Sequence, residues 1–79
     1  MSHVQETLAL DLMESSVQLA HAEATLAQLW QDRPRTYNND GSTTSAYEAW
    51  RVGHREITAY KYAVLTHCRY TERLLNLLP

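Results

Sequence analysis

Between Leu8 and Trp30 the apolar residues recur in alternating steps of four and three, and they do so twice. Leu8, Leu12, Ser15, Leu19, Ala22, Leu26 and Leu29 form one seam with the a/d spacing of a heptad pattern. Leu10, Met13, Val17, Ala20, Ala24 and Ala27 form a second stripe, with the same steps, on a different side of the cylinder. Only Thr7, Asp11, Glu14, Gln18, His21, Thr25 and Gln28 make a consistently polar strip. A helix packed on one neighbour needs one apolar stripe, whereas a helix apolar over most of its circumference is buried on more than one side. The pattern therefore predicts a helix with two packing partners. Its second stripe shrinks to alanine along its length, which lets another helix approach closely.

The ends of this element are marked. Ser2 with Gln5 three residues later has the spacing of a capping box, and Glu6 places acid in the first turn. Pro34 ends the helix, because the residue before a proline is pushed out of helical geometry. Residues 33–44 are built from turn-forming types, with Asn39-Asp40-Gly41 at their centre. Ser45 and Glu48 repeat the capping-box spacing, so a second helix is expected to begin near Ala46. It meets no proline before Pro79. The expectation is an all-α fold: an antiparallel helical hairpin in one domain, helix 1 over about 3–31, a loop over about 32–44 and helix 2 over about 45–78.

The seam expected on helix 2 is Trp50, Gly53, Ile57, Tyr60, Val64, His67, Thr71, Leu74 and Leu78. In an antiparallel pair this sets Leu29 opposite Trp50, Leu26 opposite Gly53, Ala22 opposite Ile57 and Leu19 opposite Tyr60. Ser15 then meets Val64, Leu12 meets His67 and Leu8 meets Thr71. Small residues mostly face large ones, as a packed core requires. Gly53 would make room for Leu26 or for the Trp50 indole, since glycine inside a helix otherwise costs about 1 kcal/mol relative to alanine.

Length sharpens the question of the second stripe. A chain of 79 residues has a barely sufficient core, and its one cysteine, Cys68, excludes an internal disulfide. Self-association is the expected supplement: two hairpins packed as a homodimer make a four-helix bundle that covers Leu10, Met13, Val17, Ala20, Ala24 and Ala27. Tyr70, Leu75 and Leu77 also fall outside the seam. The rival reading gives the stripe to a different protein. The lone cysteine, the lack of a signal-peptide pattern and the lack of a bilayer-length apolar run point to a cytoplasmic chain with no membrane partner.

A formal charge of −2 argues against bulk attraction to polyanions. Its distribution is uneven. Helix 1 carries Glu6, Asp11, Glu14 and Glu23 and no Lys or Arg, while helix 2 carries Arg51, Arg55, Lys61, Arg69 and Arg73 against Glu48, Glu56 and Glu72. An acidic helix followed by a basic one suits a hairpin with complementary flanks.

Candidate chemistry is thin. The histidines His3, His21, His54 and His67 have no paired spacing that would converge on a metal, and adjacent His67 and Cys68 diverge on a helix, which rules out a nucleophile–base dyad between them. His67 is expected as a hydrogen-bonded interior histidine and Cys68 as a small filler at the core edge. No glycine-rich phosphate loop or calcium loop occurs. No catalytic residue, cofactor or metal is expected, and the chain does not read as an enzyme.

The sharpest surface feature is a band on helix 2: Arg51, Arg55, Thr58, Tyr62, Thr66, Arg69 and Arg73. Arginine and tyrosine are enriched in binding hot spots. The plain alternative is a solvated face whose arginines pair with Glu56 and Glu72. Arg33, Arg35 and Tyr37 in the loop extend the candidate surface at the Trp30/Trp50 end. Arg51, Arg55, Tyr62, Arg69, Arg73 and Tyr37 are thus the expected partner-binding residues. The function expected is that of a small interaction module that inhibits or modulates a larger cytoplasmic protein. Regulators of phages and mobile elements, such as anti-CRISPR proteins and anti-activators, are often this small. The alternatives are a nucleic-acid-associated regulator gripping phosphates through the basic face, and a structural subunit of a larger assembly.

Overall fold

The structure, a computed structural model, describes residues 2–79. It is an all-α hairpin of two helices, α1 (His3–Gln31) and α2 (Ser45–Leu77), packed side by side along their lengths. The molecule measures 64 × 16 × 13 Å, the cross-section of two helices lying together. The element boundaries agree with the expected ones to within a residue.

The start of α1 follows its sequence signature. The Ser2 hydroxyl accepts from Gln5 N at 3.1 Å, and the Gln5 side chain accepts from Ser2 N at 2.9 Å. The start of α2 does not. Its cap is Thr44, whose hydroxyl accepts from Tyr47 N at 3.0 Å, so Ser45 is the first helical residue rather than the cap. The reason lies in the loop. Thr44 N donates to Thr36 O at 2.9 Å, and this pairing holds Thr44 extended, as a cap must be. Around that pairing the loop folds on itself, with an isolated antiparallel bridge between Tyr37 and Thr43 and a bond from Asn38 N to Ser42 O at 2.7 Å. Gly41 closes the turn at φ 87°, a conformation that L side chains rarely adopt.

The core is thin, and its most buried members are small. Ser15, Ala22, Val64, Cys68 and Thr71 are the buried residues, while Leu8, Leu12, Leu19, Leu26 and Leu29 are half-buried beside them. The α1 seam is therefore the expected one. On α2 the expected seam is half right. Trp50, Ile57, Val64, Thr71 and Leu78 lie on it, but between them come Tyr47, His54, Lys61, Cys68 and Leu75, all buried or half-buried. Tyr60 and His67 turn outward, with Tyr60 at 48% exposure. Both sets keep heptad steps, so spacing alone does not choose between them.

His67 is consequently no interior histidine. Its ring is half exposed and its Nε2 lies 2.7 Å from Asp11 Oδ2. Cys68 occupies the buried position instead. Gly53 makes no close approach either: a Cβ built there meets no atom within 4 Å, so neither Leu26 nor Trp50 needs its smallness. The Leu29–Trp50 pairing does hold, since the indole Nε1 of Trp50 donates to Leu29 O at 2.7 Å.

Candidate functional site

Two surfaces concentrate the residues singled out by the sequence. The first is the outward face of α2, where the seam periodicity carries Arg51, Arg55, Tyr62, Arg69 and Arg73 away from α1. All five are exposed, Tyr62 at 59%. Thr58 and Thr66, on the same band, turn their hydroxyls inward onto the helix, donating to His54 O at 2.8 Å and Tyr62 O at 2.9 Å. They leave the arginines and the phenol as its reaching groups. The Lys61 ammonium sits 5.8 Å from the Tyr62 ring centroid and adds a further cation beside it.

The expected pairing of these arginines is not the one found. Glu56 and Glu72 make no ion pair among the described residues; Glu48 takes Arg51, at 3.0 Å. The Thr43 hydroxyl and the Arg51 guanidinium together hold the Glu48 carboxyl below its usual range. Arg55, Arg69 and Arg73 form no ion pair among the described residues. Complementary flanks between the helices are likewise reduced to one contact, His67 with Asp11, because the arginines of α2 point outward instead of across the seam.

The second surface is the loop end, and here the structure gathers more than the sequence indicated. Trp30 and Trp50 meet edge to face at 5.4 Å, Tyr47 stacks on Trp50 at 5.8 Å, and His54 stacks on its other side at 5.0 Å. The Arg33 guanidinium lies over this group, 5.3 Å from Trp30, 5.5 Å from Tyr47 and 5.4 Å from Trp50. An aromatic quadrupole attracts a cation at such distances by about 0.5–1 kcal/mol when exposed. Arg33 is thus engaged within its own chain, and it ties the loop to both helices. Arg35 is engaged as well, donating to Asn39 Oδ1 at 2.8 Å. Tyr37 is 58% exposed on the loop bridge, on a different part of the molecule from the Tyr62 band. The sequence signal for the aromatic group was the Tyr47, Trp50, His54 spacing of one helix face, beside Trp30 at the end of the other.

Among the described residues no three His, Cys, Asp or Glu side chains are grouped to hold a metal ion. No helix of the described residues is long and apolar enough to cross a membrane. Compared with known proteins, the chain matches no family model, no curated protein and no solved structure.

Proposed function

We propose that the chain is a non-enzymatic interaction module that modulates a larger cytoplasmic protein by covering an acidic part of its surface. The observation that carries this reading is the outward band of α2, where Arg55, Tyr62, Arg69 and Arg73 stand exposed with no ion pair among the described residues. An arginine without an internal partner breaks no ion pair when it engages another surface, and its planar fork can grip a carboxylate through two bonds. Tyr62 supplies contact area with a polar end at low entropic cost. The band stands on one uninterrupted helix of 33 residues, so its spacing is fixed before binding.

The test is affinity capture from extract with the tagged wild type beside the Arg55→Ala/Tyr62→Ala/Arg69→Ala variant, over a series of salt concentrations. A protein retained by the wild type through moderate salt and lost with the variant is the expected result. Nucleic acid retained at low salt and shed steeply as salt rises would replace this reading with phosphate binding. Equal retention by wild type and variant would remove the band from the function.

A further inference from the structure

The stripe of α1 that the hairpin leaves uncovered carries a pattern that identifies its occupant. Leu10, Met13 and Val17 are 61%, 65% and 70% exposed, and Ala20, Ala24 and Ala27 are exposed with them. At about 100° per residue the stripe lies about 160° round α1 from the seam, on the side away from α2. A shallow concavity of about 400 Å³ lies on it at Met13, Glu14, Val17 and Gln18. No described residue covers the stripe.

Turned end over end, the stripe is its own complement. If a second α1 runs antiparallel about a two-fold axis between Gln18 and Leu19, Leu10 comes opposite Ala27 of the second copy, Met13 opposite Ala24 and Val17 opposite Ala20. Each large residue meets an alanine at every level, the alternation that lets two helices interdigitate and approach closely. The flanks agree. Glu6 falls opposite Gln31. Glu14 and Glu23 come to the same level but flank the stripe on opposite sides, so Glu14 lies beside His21 and Glu23 beside Ser16. None of these acidic residues faces another. A parallel pair would instead stack Leu10 on Leu10 and Ala27 on Ala27, splaying one end and leaving gaps at the other.

We propose that the partner of this stripe is a second copy of the chain, joined antiparallel through α1 in this register. The interface is isologous, as a two-fold dimer demands. It runs about 26 Å along the helix from Leu10 to Ala27. Because the stripe faces away from α2, the four helices lie in the order α2, α1, α1, α2 across the assembly. They do not occupy the corners of a square bundle. The arrangement leaves the Tyr62 band exposed on both outer faces, so this dimer stands or falls independently of the proposed partner.

The decisive experiment is solution mass by light scattering over a dilution series, for the full-length wild type, Ala24→Glu, and Met13→Lys/Ala24→Glu. The wild type is expected at twice the chain mass. Ala24→Glu, which sets a carboxylate against Met13 of the second copy, should halve that mass. The double variant should recover it, because the introduced ammonium of one copy then meets the introduced carboxylate of the other. Within one chain these positions are about 16 Å apart along the helix and cannot pair. A wild type that stays monomeric to submillimolar concentration overturns the proposal, as does a double variant that is helical but monomeric. Should the variants fail to fold, spin labels on Gln28→Cys in a Cys68→Ala background decide the orientation. The antiparallel dimer separates them by about 30 Å, whereas a parallel one brings them within about 15 Å and refutes the register.

Discussion

The two ends of the hairpin are held together by different means. At the loop end, large aromatic rings meet across the helices, an indole donates to a backbone carbonyl, and Arg33 caps the group. From Ser15 toward the open end the most buried side chains are small, Ser15, Val64, Cys68 and Thr71, with Leu8, Leu12, Leu74, Leu75 and Leu78 only half-buried around them. The polar links there are an exposed carboxylate–imidazole contact and a bond from Gln5 Nε2 to Pro79 O. Large interlocking groups fix a register and contribute most of the burial energy. Small ones allow close approach but bury little area. The hairpin is pinned at its loop by rings, and toward its open end it is held by closer but smaller contacts. That is where α1 presents Leu10, Met13 and Val17 to solvent.

The largest effect should come from breaking the pinned end. Trp50→Ala removes a half-buried indole, its bond to Leu29 O, and the surface on which Tyr47 and His54 stack. A loss of about 2–3 kcal/mol is expected, below the range for a fully buried tryptophan because the ring is only half covered. Urea unfolding followed by circular dichroism measures it. A loss below about 1 kcal/mol would mean that the loop end is no better fixed than the middle.

How far the sequence disclosed this molecule depends on where it offered one candidate and where it offered two. The α1 seam was legible because Leu8, Leu12, Leu19, Leu26 and Leu29 have no rival at the same spacing on that face. On α2, Gly53, Tyr60, His67 and Leu74 compete with Tyr47, His54, Lys61, Cys68 and Leu75, and each set mixes apolar and polar members. The structure turns Tyr60 and His67 outward, while Gly53 and Leu74 stay half-buried, for reasons that are not local: His54 completes the aromatic stack, and Cys68 is small enough for the close layer around Ser15 and Thr71. The cap moved from Ser45 to Thr44 for a similar reason, a backbone bond to Thr36 that only the folded loop creates. For the surface band, periodicity sufficed to place Arg51, Arg55, Tyr62, Arg69 and Arg73 on one exposed face. It did not reveal which arginines would be engaged, since that turns on the rotamers of Glu48, Glu56 and Glu72.

An intermediate effect sharpens the corrected α2 seam. Since a Cβ at Gly53 meets nothing within 4 Å, Gly53→Ala should stabilise the hairpin by about 1 kcal/mol through helix propensity alone. A higher melting temperature checks this. A lower one would restore the close approach of helices at that level and with it the seam through Gly53, Tyr60 and His67.

The smallest effect tests the weaker end directly. Asp11 Oδ2 lies 2.7 Å from His67 Nε2 and 3.5 Å from the Thr71 hydroxyl, linking the two helices, and nearer the end Gln5 Nε2 donates to Pro79 O at 2.8 Å. The carboxylate is 41% exposed and the imidazole 51%, so water competes for both. Exposed pairs of this kind are worth about 0–1 kcal/mol, and the lower half of that range is expected. A double-mutant cycle of Asp11→Ala and His67→Ala isolates the coupling, provided that Thr71 keeps its place in each variant. Asp11→Ala alone should cost more than His67→Ala, because it also takes the acceptor from the buried Thr71 hydroxyl. A coupling well above about 1 kcal/mol would reverse the contrast between the two ends. The open end would then be held by its polar links as firmly as the loop end is by its rings.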